Sequence, residues 1–294
     1  MTYRLDDMRR DGYTVAPGFL DPARVARLRE VADGLRTRFL ERDPLTGKRG
    51  FLVHPWHVES IHHPRFYEGA PDWWLPELLD LVGDPRTLDL WRAAVGTEPV
   101  FAIVSLFMDP PLPHALDPAM QAVAKPDGAG RWHRDVGPPL DDERERAGLL
   151  SGELRRDDGH LLEIALADSD AFEYVPGSHR RWDTPLELLA RKHGQTVEER
   201  TQPLPGARRV RLEAGDAAVA DLTGIHRGWY THGVTRRTIT LWYLGPNHPS
   251  QFPEGGVEPT FFLEPEHLER LRPATASFFK RWRDQRLVVS GGTR

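Results

Sequence analysis

The chain has 294 residues, no cysteine and a formal net charge of −5, which excludes disulfides and thiolate metal sites and gives no electrostatic basis for binding nucleic acid. With 39% apolar residues, nine Trp, twelve Phe and a mean hydropathy of −0.53, it reads as a globular protein with bulky residues for a core and pocket walls. No run of about 18 apolar residues occurs and the charged start, Met1 to Asp11, lacks an apolar stretch, so neither a membrane span nor a signal peptide is expected, and the expected location is cytoplasmic.

In chain order, Gly12-Tyr13-Thr14-Val15-Ala16 predicts a short strand. Asp21 then caps a helix to Leu40, with Pro22 in the first turn and Val25, Leu28, Val31 and Leu35 at helical spacing. Trp73 to Val95 predicts one or two helices, interrupted at Gly83-Asp84-Pro85. Val100 to Phe107 is a strong strand. The Pro-rich stretch from Met108 to Gly130 forbids a regular element through most of its length and is expected to form a lid. Asp141 to Glu153 is a short helix or a loop, Leu161 to Ala167 a buried strand, and Phe172 to Val175 a strand ending in the Pro176-Gly177 turn. Leu186 to Gln202 is helical or loop. Strands are expected at Arg208–Leu212, Ala217–Leu222 and Arg237–Leu244, and a helix from Glu264 to Arg286. Strands at short intervals with flanking helices give a mainly β fold of the double-sheet jelly-roll, cupin-like type.

The most informative motif is His133-Arg134-Asp135, within Arg131-Trp132-His133-Arg134-Asp135-Val136-Gly137. On an extended strand His133 and Asp135 point to one face. A third ligand candidate, His226, lies in Gly224-Ile225-His226-Arg227-Gly228. Two His and one carboxylate with open positions form the facial triad of non-heme Fe(II) oxygenases. His232 competes with His226, since both precede the Arg237 strand. Arg236 and Arg237 must point to opposite faces of that strand. Pro176-Gly177 makes a turn, Gly177 and Ser178 read as structural, and His179 reads as a turn or surface residue rather than a ligand. Trp132 and Trp242 fit either a pocket or the core.

Five segments in order resemble the phytanoyl-CoA dioxygenase-like family. They are Asp11-Gly12-Tyr13-Thr14-Val15 with Gly18-Phe19-Leu20-Asp21-Pro22, the His133-x-Asp135 pair, Val175-Pro176-Gly177-Ser178-His179, Leu212-Glu213-Ala214-Gly215-Asp216-Ala217, and His226 with Arg237. The resemblance spans about Asp11 to Leu244. It implies a double-stranded β-helix that binds Fe(II) through His133, Asp135 and His226. It also implies 2-oxoglutarate as cosubstrate, O2 as oxidant, and hydroxylation of an unactivated C–H bond of a small organic molecule, with succinate and CO2 as coproducts. The eleven positions from His226 to Arg237 match the family's spacing, so Arg237 is expected to grip the far carboxylate of 2-oxoglutarate. Related halogenases have Ala or Gly in place of the carboxylate, so Asp135 argues for oxygenation without halide. Two regions depart from the family's pattern: Ala167-Asp168-Ser169-Asp170-Ala171, and Trp229-Tyr230-Thr231-His232-Gly233. The expected organisation is a single oxygenase domain over 1–294. It has a helical part at 1–98, a jelly-roll core at 99–250 and a C-terminal helix and tail at 251–294. Competing readings are a cupin enzyme that does not use 2-oxoglutarate and a non-catalytic binding protein.

Overall fold

A computed structural model describes residues 5–41, 52–54, 57–58, 76–108, 128–135, 140–154, 160–230, 236–244 and 268–281. Two antiparallel sheets face each other, and helices cover the outer side of the larger one. The larger sheet has the order β1-β9-β6-β11-β4-β3-β2. It comprises β1 (Tyr13–Ala16), β2 (Leu52–His54), β3 (His57–Val58), β4 (Val100–Met108), β6 (His160–Ala165), β9 (Ala217–Asp221) and β11 (Arg237–Leu244). The smaller sheet has the order β5-β10-β7-β8, from β5 (Gly128–Ala129), β7 (Ser169–Tyr174), β8 (Arg208–Leu212) and β10 (His226–Tyr230). Non-consecutive neighbours in both sheets are the signature of the jelly-roll class.

The helices follow from local chemistry. After α1 (Leu5–Asp11), helix α2 (Pro22–Glu41) starts where the Asp21 carboxylate accepts the Arg24 N–H at 2.9 Å. Val25, Leu28, Val31 and Leu35 are all buried, as their spacing predicts. The interruption expected at Gly83-Asp84-Pro85 separates α3 (Pro76–Leu79) from α4 (Pro85–Val95), which Asp84 caps. Further helices are α5 (Asp142–Ser151), α6 (Pro185–Leu188), α7 (Val197–Thr201) and α8 (273–281).

Strand alternation divides the core. Leu106, Leu162, Ile164, Val219, Ile239 and Leu241 face the helices and pack with Leu28, Leu35, Trp91 and Phe279. Each such side chain removed from water contributes about 1.5–3 kcal/mol. The alternate positions face the gap between the sheets. There Ala165, Ala218 and Ala220 meet Phe172, Tyr174, Val210 and Leu212 of the smaller sheet. Small residues on one wall and aromatic ones on the other let the sheets approach at one end. A third cluster lies outside the smaller sheet, where the excursion between β7 and β8 brings Ala190 and Leu204 onto Trp132, Val175 and Ile225.

Several expectations need correction. His226 begins strand β10, a strand the sequence reading left out. The His-x-Asp segment is extended but makes a single bridge, His133 to His226, in place of a full strand. His179 is buried at 3% exposure in a 3-10 turn. It packs where a Cβ on Gly12 would stand, and Gly12 has φ 90°, so two constraints fix glycine there. Of its two readings, pocket or core, Trp132 takes the core one, in the cluster outside the smaller sheet. Besides β1, where a strand was expected, the first third supplies β2 and β3 to the larger sheet. Of the expected lid, Met108 to Gly130, the ends are described, Met108 closing β4 and Gly128–Ala129 forming β5, while residues 109–127 lie outside the described residues, as do His232 and Trp282.

Candidate metal centre

His133 and His226 are brought together by backbone pairing. The His133 N–H donates to the His226 carbonyl and the His226 N–H to the His133 carbonyl, both at 3.0 Å. Such a hydrogen-bonded antiparallel pair places its two side chains on one face. The ring centroids stand 4.3 Å apart. Asp135 follows two residues on, its N–H held by the Leu222 carbonyl at 2.9 Å. Its carboxylate therefore rejoins the two imidazoles. His133 Nε2 lies 3.5 Å from Asp135 Oδ1, and His226 Nε2 lies 3.8 Å from Asp135 Oδ2. The three ligand atoms all fall within 4.8 Å of one another.

Both imidazoles are locked for ligation through Nε2. His133 Nδ1 is 2.9 Å from the Arg131 carbonyl, and His226 Nδ1 is 2.9 Å from the Gly224 carbonyl. A carbonyl only accepts, so each Nδ1 carries the proton and each Nε2 offers its lone pair to the shared point. Burial, reinforced by the neighbouring His133, pushes His226 down to about 4, so its ring stays neutral near pH 7. Tyr174 stacks near His226 with 14° between the ring planes, and its hydroxyl donates to the Asp221 carbonyl at 2.7 Å. His133 and Asp135 are more open, with 44% and 31% of their side chains exposed, so the centre is walled on the His226 side and approachable from the other. The donor set fits a non-heme iron: two imidazole nitrogens and one carboxylate converging on one point.

Between the two ligands, Arg134 points the other way into the protein. Its guanidinium pairs with Asp183 at 2.5 Å, with both side chains at 0% exposure, and it donates to the carbonyls of Ser178 and Thr223. Asp183 also receives Arg191 at 2.8 Å, and Arg191 reaches Glu145 at 2.7 Å. The sequence reading gave Arg134 no role. Its signal was a charged residue at an inward position of an extended segment.

Arg236, just before β11, and Arg237, its first residue, separate as alternation requires, and Arg237 does not face the gap between the sheets, where it was expected. Arg237 lies in phase with Ile239 and Leu241, faces α2 and pairs with Asp33. Arg236 lies over the Phe107 ring at 4.1 Å. Phe107 pairs in register with Thr238, so Arg236, Thr238 and Phe107 share the face between the sheets. There Arg236 Nη2 stands 3.4 Å from Glu163 Oε1 and its Nε stands 3.5 Å from Thr238 Oγ1. Its Nη1 is buried and meets no hydrogen-bond partner among the described residues. The spacing argument counts through residues 231–235, whose number strand geometry does not fix, so it does not by itself decide which arginine faces the gap. A one-residue slip exchanges the faces.

The phytanoyl-CoA dioxygenase (PhyH) family model matches residues 8–229. No protein with curated annotation matches in sequence. Among solved structures, AviO1 from Streptomyces viridochromogenes Tue57 is similar at TM-score 0.54 and 23% identity, covering 83% of this chain and 95% of its own. The carbocyclase SnoK from nogalamycin biosynthesis, described as non-heme and alpha-ketoglutarate dependent, has TM-score 0.54 at 18% identity over 92% of this chain and 90% of its own. EctD from S. alaskensis with bound Fe has TM-score 0.52 at 19% identity over 85% and 80%. At these identities the likeness is one of fold.

Proposed function

Because the chain belongs to the phytanoyl-CoA dioxygenase family and is a non-heme Fe(II)/2-oxoglutarate-dependent oxygenase, we propose that His133, Asp135 and His226 hold its iron and that Arg236, rather than Arg237, anchors its cosubstrate. The observation that carries the metal assignment is the convergence of the three ligand atoms within 4.8 Å, with both imidazoles oriented by backbone carbonyls. Fe(II) with bound 2-oxoglutarate supplies the oxidative decarboxylation that activates O2 for attack on a C–H bond and leaves succinate and CO2.

The protein's own part is placement. His133, Asp135 and His226 would hold the iron from one side, so that cosubstrate and oxidant could reach it from the other. Arg236 presents Nη1, without a protein partner among the described residues, to the space between the sheets, and a guanidinium matches a carboxylate with two parallel hydrogen bonds. Thr238, on the same face, adds a hydroxyl. Phe107 under the guanidinium, together with the alanine-lined wall, keeps that end dry and strengthens the charge pairing. The more exposed side of His133 and Asp135 is where a small organic substrate would approach.

The test is anaerobic reconstitution with Fe(II), then addition of 2-oxoglutarate and O2 with quantification of succinate. Slow succinate formation without substrate, raised by the true substrate, is expected. Tight Fe(II) binding with no succinate under any condition would instead favour a binding protein. Turnover of a substrate without succinate would favour a cosubstrate-independent cupin enzyme.

A further inference from the structure

Glu163 is a buried carboxylate for which the reaction described above has no use. It sits on β6 at 3% exposure, in register with Thr240 of β11 and Ala218 of β9, on the face between the sheets. Among the described residues its charged neighbour there is Arg236, at 3.4 Å. Thr238, Thr240, Phe107 and Ala218 on this face do not titrate; Tyr13 of β1, packed against the alanine wall, does, and His57 of β3 pairs in register with Phe107. On the opposite sheet Tyr174, whose hydroxyl is committed to the Asp221 carbonyl, shares its face with the metal-centre His226 and with Arg208.

We propose that Glu163 is the resident counter-ion of Arg236, and that a 2-oxo acid with a far carboxylate takes its place while one proton from solvent goes onto Glu163. The proposal rests on Arg236 being the anchor. Before cosubstrate arrives, a lone buried guanidinium would be costly, and Glu163 neutralises it. When the far carboxylate binds, two anions would share one cation in a water-poor space. Like charges at such a site push one carboxyl toward its neutral form. Glu163 is the one that gives way. Burial already drives it above the usual carboxylate range, with the pull of Arg236 opposing. The protonated carboxyl then donates a hydrogen bond, so it can remain beside the complex without repulsion.

Two consequences separate this role from a merely structural one. Cosubstrate affinity falls as pH rises above the free-protein titration of Glu163, by up to about tenfold per pH unit, because binding then requires a proton. A 2-oxo acid lacking the far carboxylate, such as 2-oxobutyrate, has nothing to displace and binds without this coupling.

The test is anaerobic titration calorimetry of the Fe(II)-loaded protein with 2-oxoglutarate in pairs of buffers of different ionisation enthalpy, between about pH 6 and 9. Uptake approaching about one proton is expected at the upper end, with none for 2-oxobutyrate. Glu163→Gln should bind 2-oxoglutarate without proton uptake and with a flat pH profile. The wild-type measurement stands if that variant does not fold. No uptake by the wild type at any pH, with Arg236→Ala still losing roughly 100-fold in affinity, would overturn the role of Glu163 and keep the anchor. Undiminished affinity in Arg236→Ala would instead remove the anchor itself.

Discussion

Arg236 and Arg237 are neighbours in the chain and lie on opposite faces of one sheet. Arg237 pairs with Asp33 of the helical layer, and Arg236 lies over Phe107 between the sheets. Two substitutions that look alike in sequence should therefore differ in kind. Arg236→Ala should raise the 2-oxoglutarate requirement by two or more orders of magnitude, since a desolvated carboxylate without its partner costs about 3–5 kcal/mol. Arg237→Ala breaks a pair whose aspartate side chain is 48% exposed, so it should cost about 1 kcal/mol of stability and leave cosubstrate affinity within about threefold. Cosubstrate titration and urea unfolding of both variants check this. A larger cosubstrate defect in Arg237→Ala would restore the spacing argument.

How much was legible in the sequence follows from what each signal encodes. Helix α2 was readable because its cap and its apolar spacing agree, and both are local. His133 and Asp135 were readable as a same-face pair because period two survives even where the segment makes a single bridge. The choice between Arg236 and Arg237 was not, because it depends on the length of a connection. Strand β10 was missed because Arg227-Gly228-Trp229 carries neither an apolar run nor clean alternation. Its outward Arg227 is instead held by Glu173 at 2.6 Å and by the Trp132 ring at 4.0 Å, contacts across different elements. Glu163 and Arg134 read as ordinary charged residues. What makes them notable is burial, which a single sequence does not report.

The metal centre should depend on all three ligands. His133→Ala, Asp135→Ala and His226→Ala should each lose stoichiometric Fe(II) binding, whereas His232→Ala should retain it. Zn(II) binds nitrogen and carboxylate ligands more tightly than Fe(II) and has no redox chemistry, so it should occupy the same centre and stop succinate formation. Chelation followed by Fe(II) should restore it. Metal analysis and a competition titration provide the measurement; full iron content in His226→Ala would transfer the ligand role to His232.

Arg134 should matter to stability and to metal affinity together. It lies between the two ligands and is tied to Asp183 with neither side chain exposed. Arg134→Leu strands Asp183, which retains Arg191, in a dry site, for an expected loss of about 3–5 kcal/mol. Asp183→Asn keeps a hydrogen-bond acceptor for Arg134 but removes the charge, and should cost less. Both should weaken Fe(II) binding, because the same segment positions His133 and Asp135. Unfolding curves of the apoprotein alongside Fe(II) titrations would separate the two effects. Arg134→Leu that is destabilised but binds iron normally would reduce Arg134 to a structural residue.

The sharpest steric test is at Gly224. Its carbonyl accepts from His226 Nδ1, and a Cβ added there would collide with the Tyr174 hydroxyl. That hydroxyl is fixed by the Asp221 carbonyl, and its ring flanks His226, so it has little freedom to retreat. Gly224→Ala should thus move the two groups that orient His226. The expected cost is about 1–3 kcal/mol from overpacking, together with weaker Fe(II) binding. Gly34 is the control. It lies on an exposed face of α2 with nothing within 4 Å of an added Cβ, so Gly34→Ala should stabilise the protein by roughly 0.5–1 kcal/mol and leave the metal centre untouched. Thermal unfolding and iron affinity of the two variants, measured side by side, decide the matter. Unchanged iron affinity in a folded Gly224→Ala protein would show that the carbonyl and the Tyr174 ring do not set the orientation of His226.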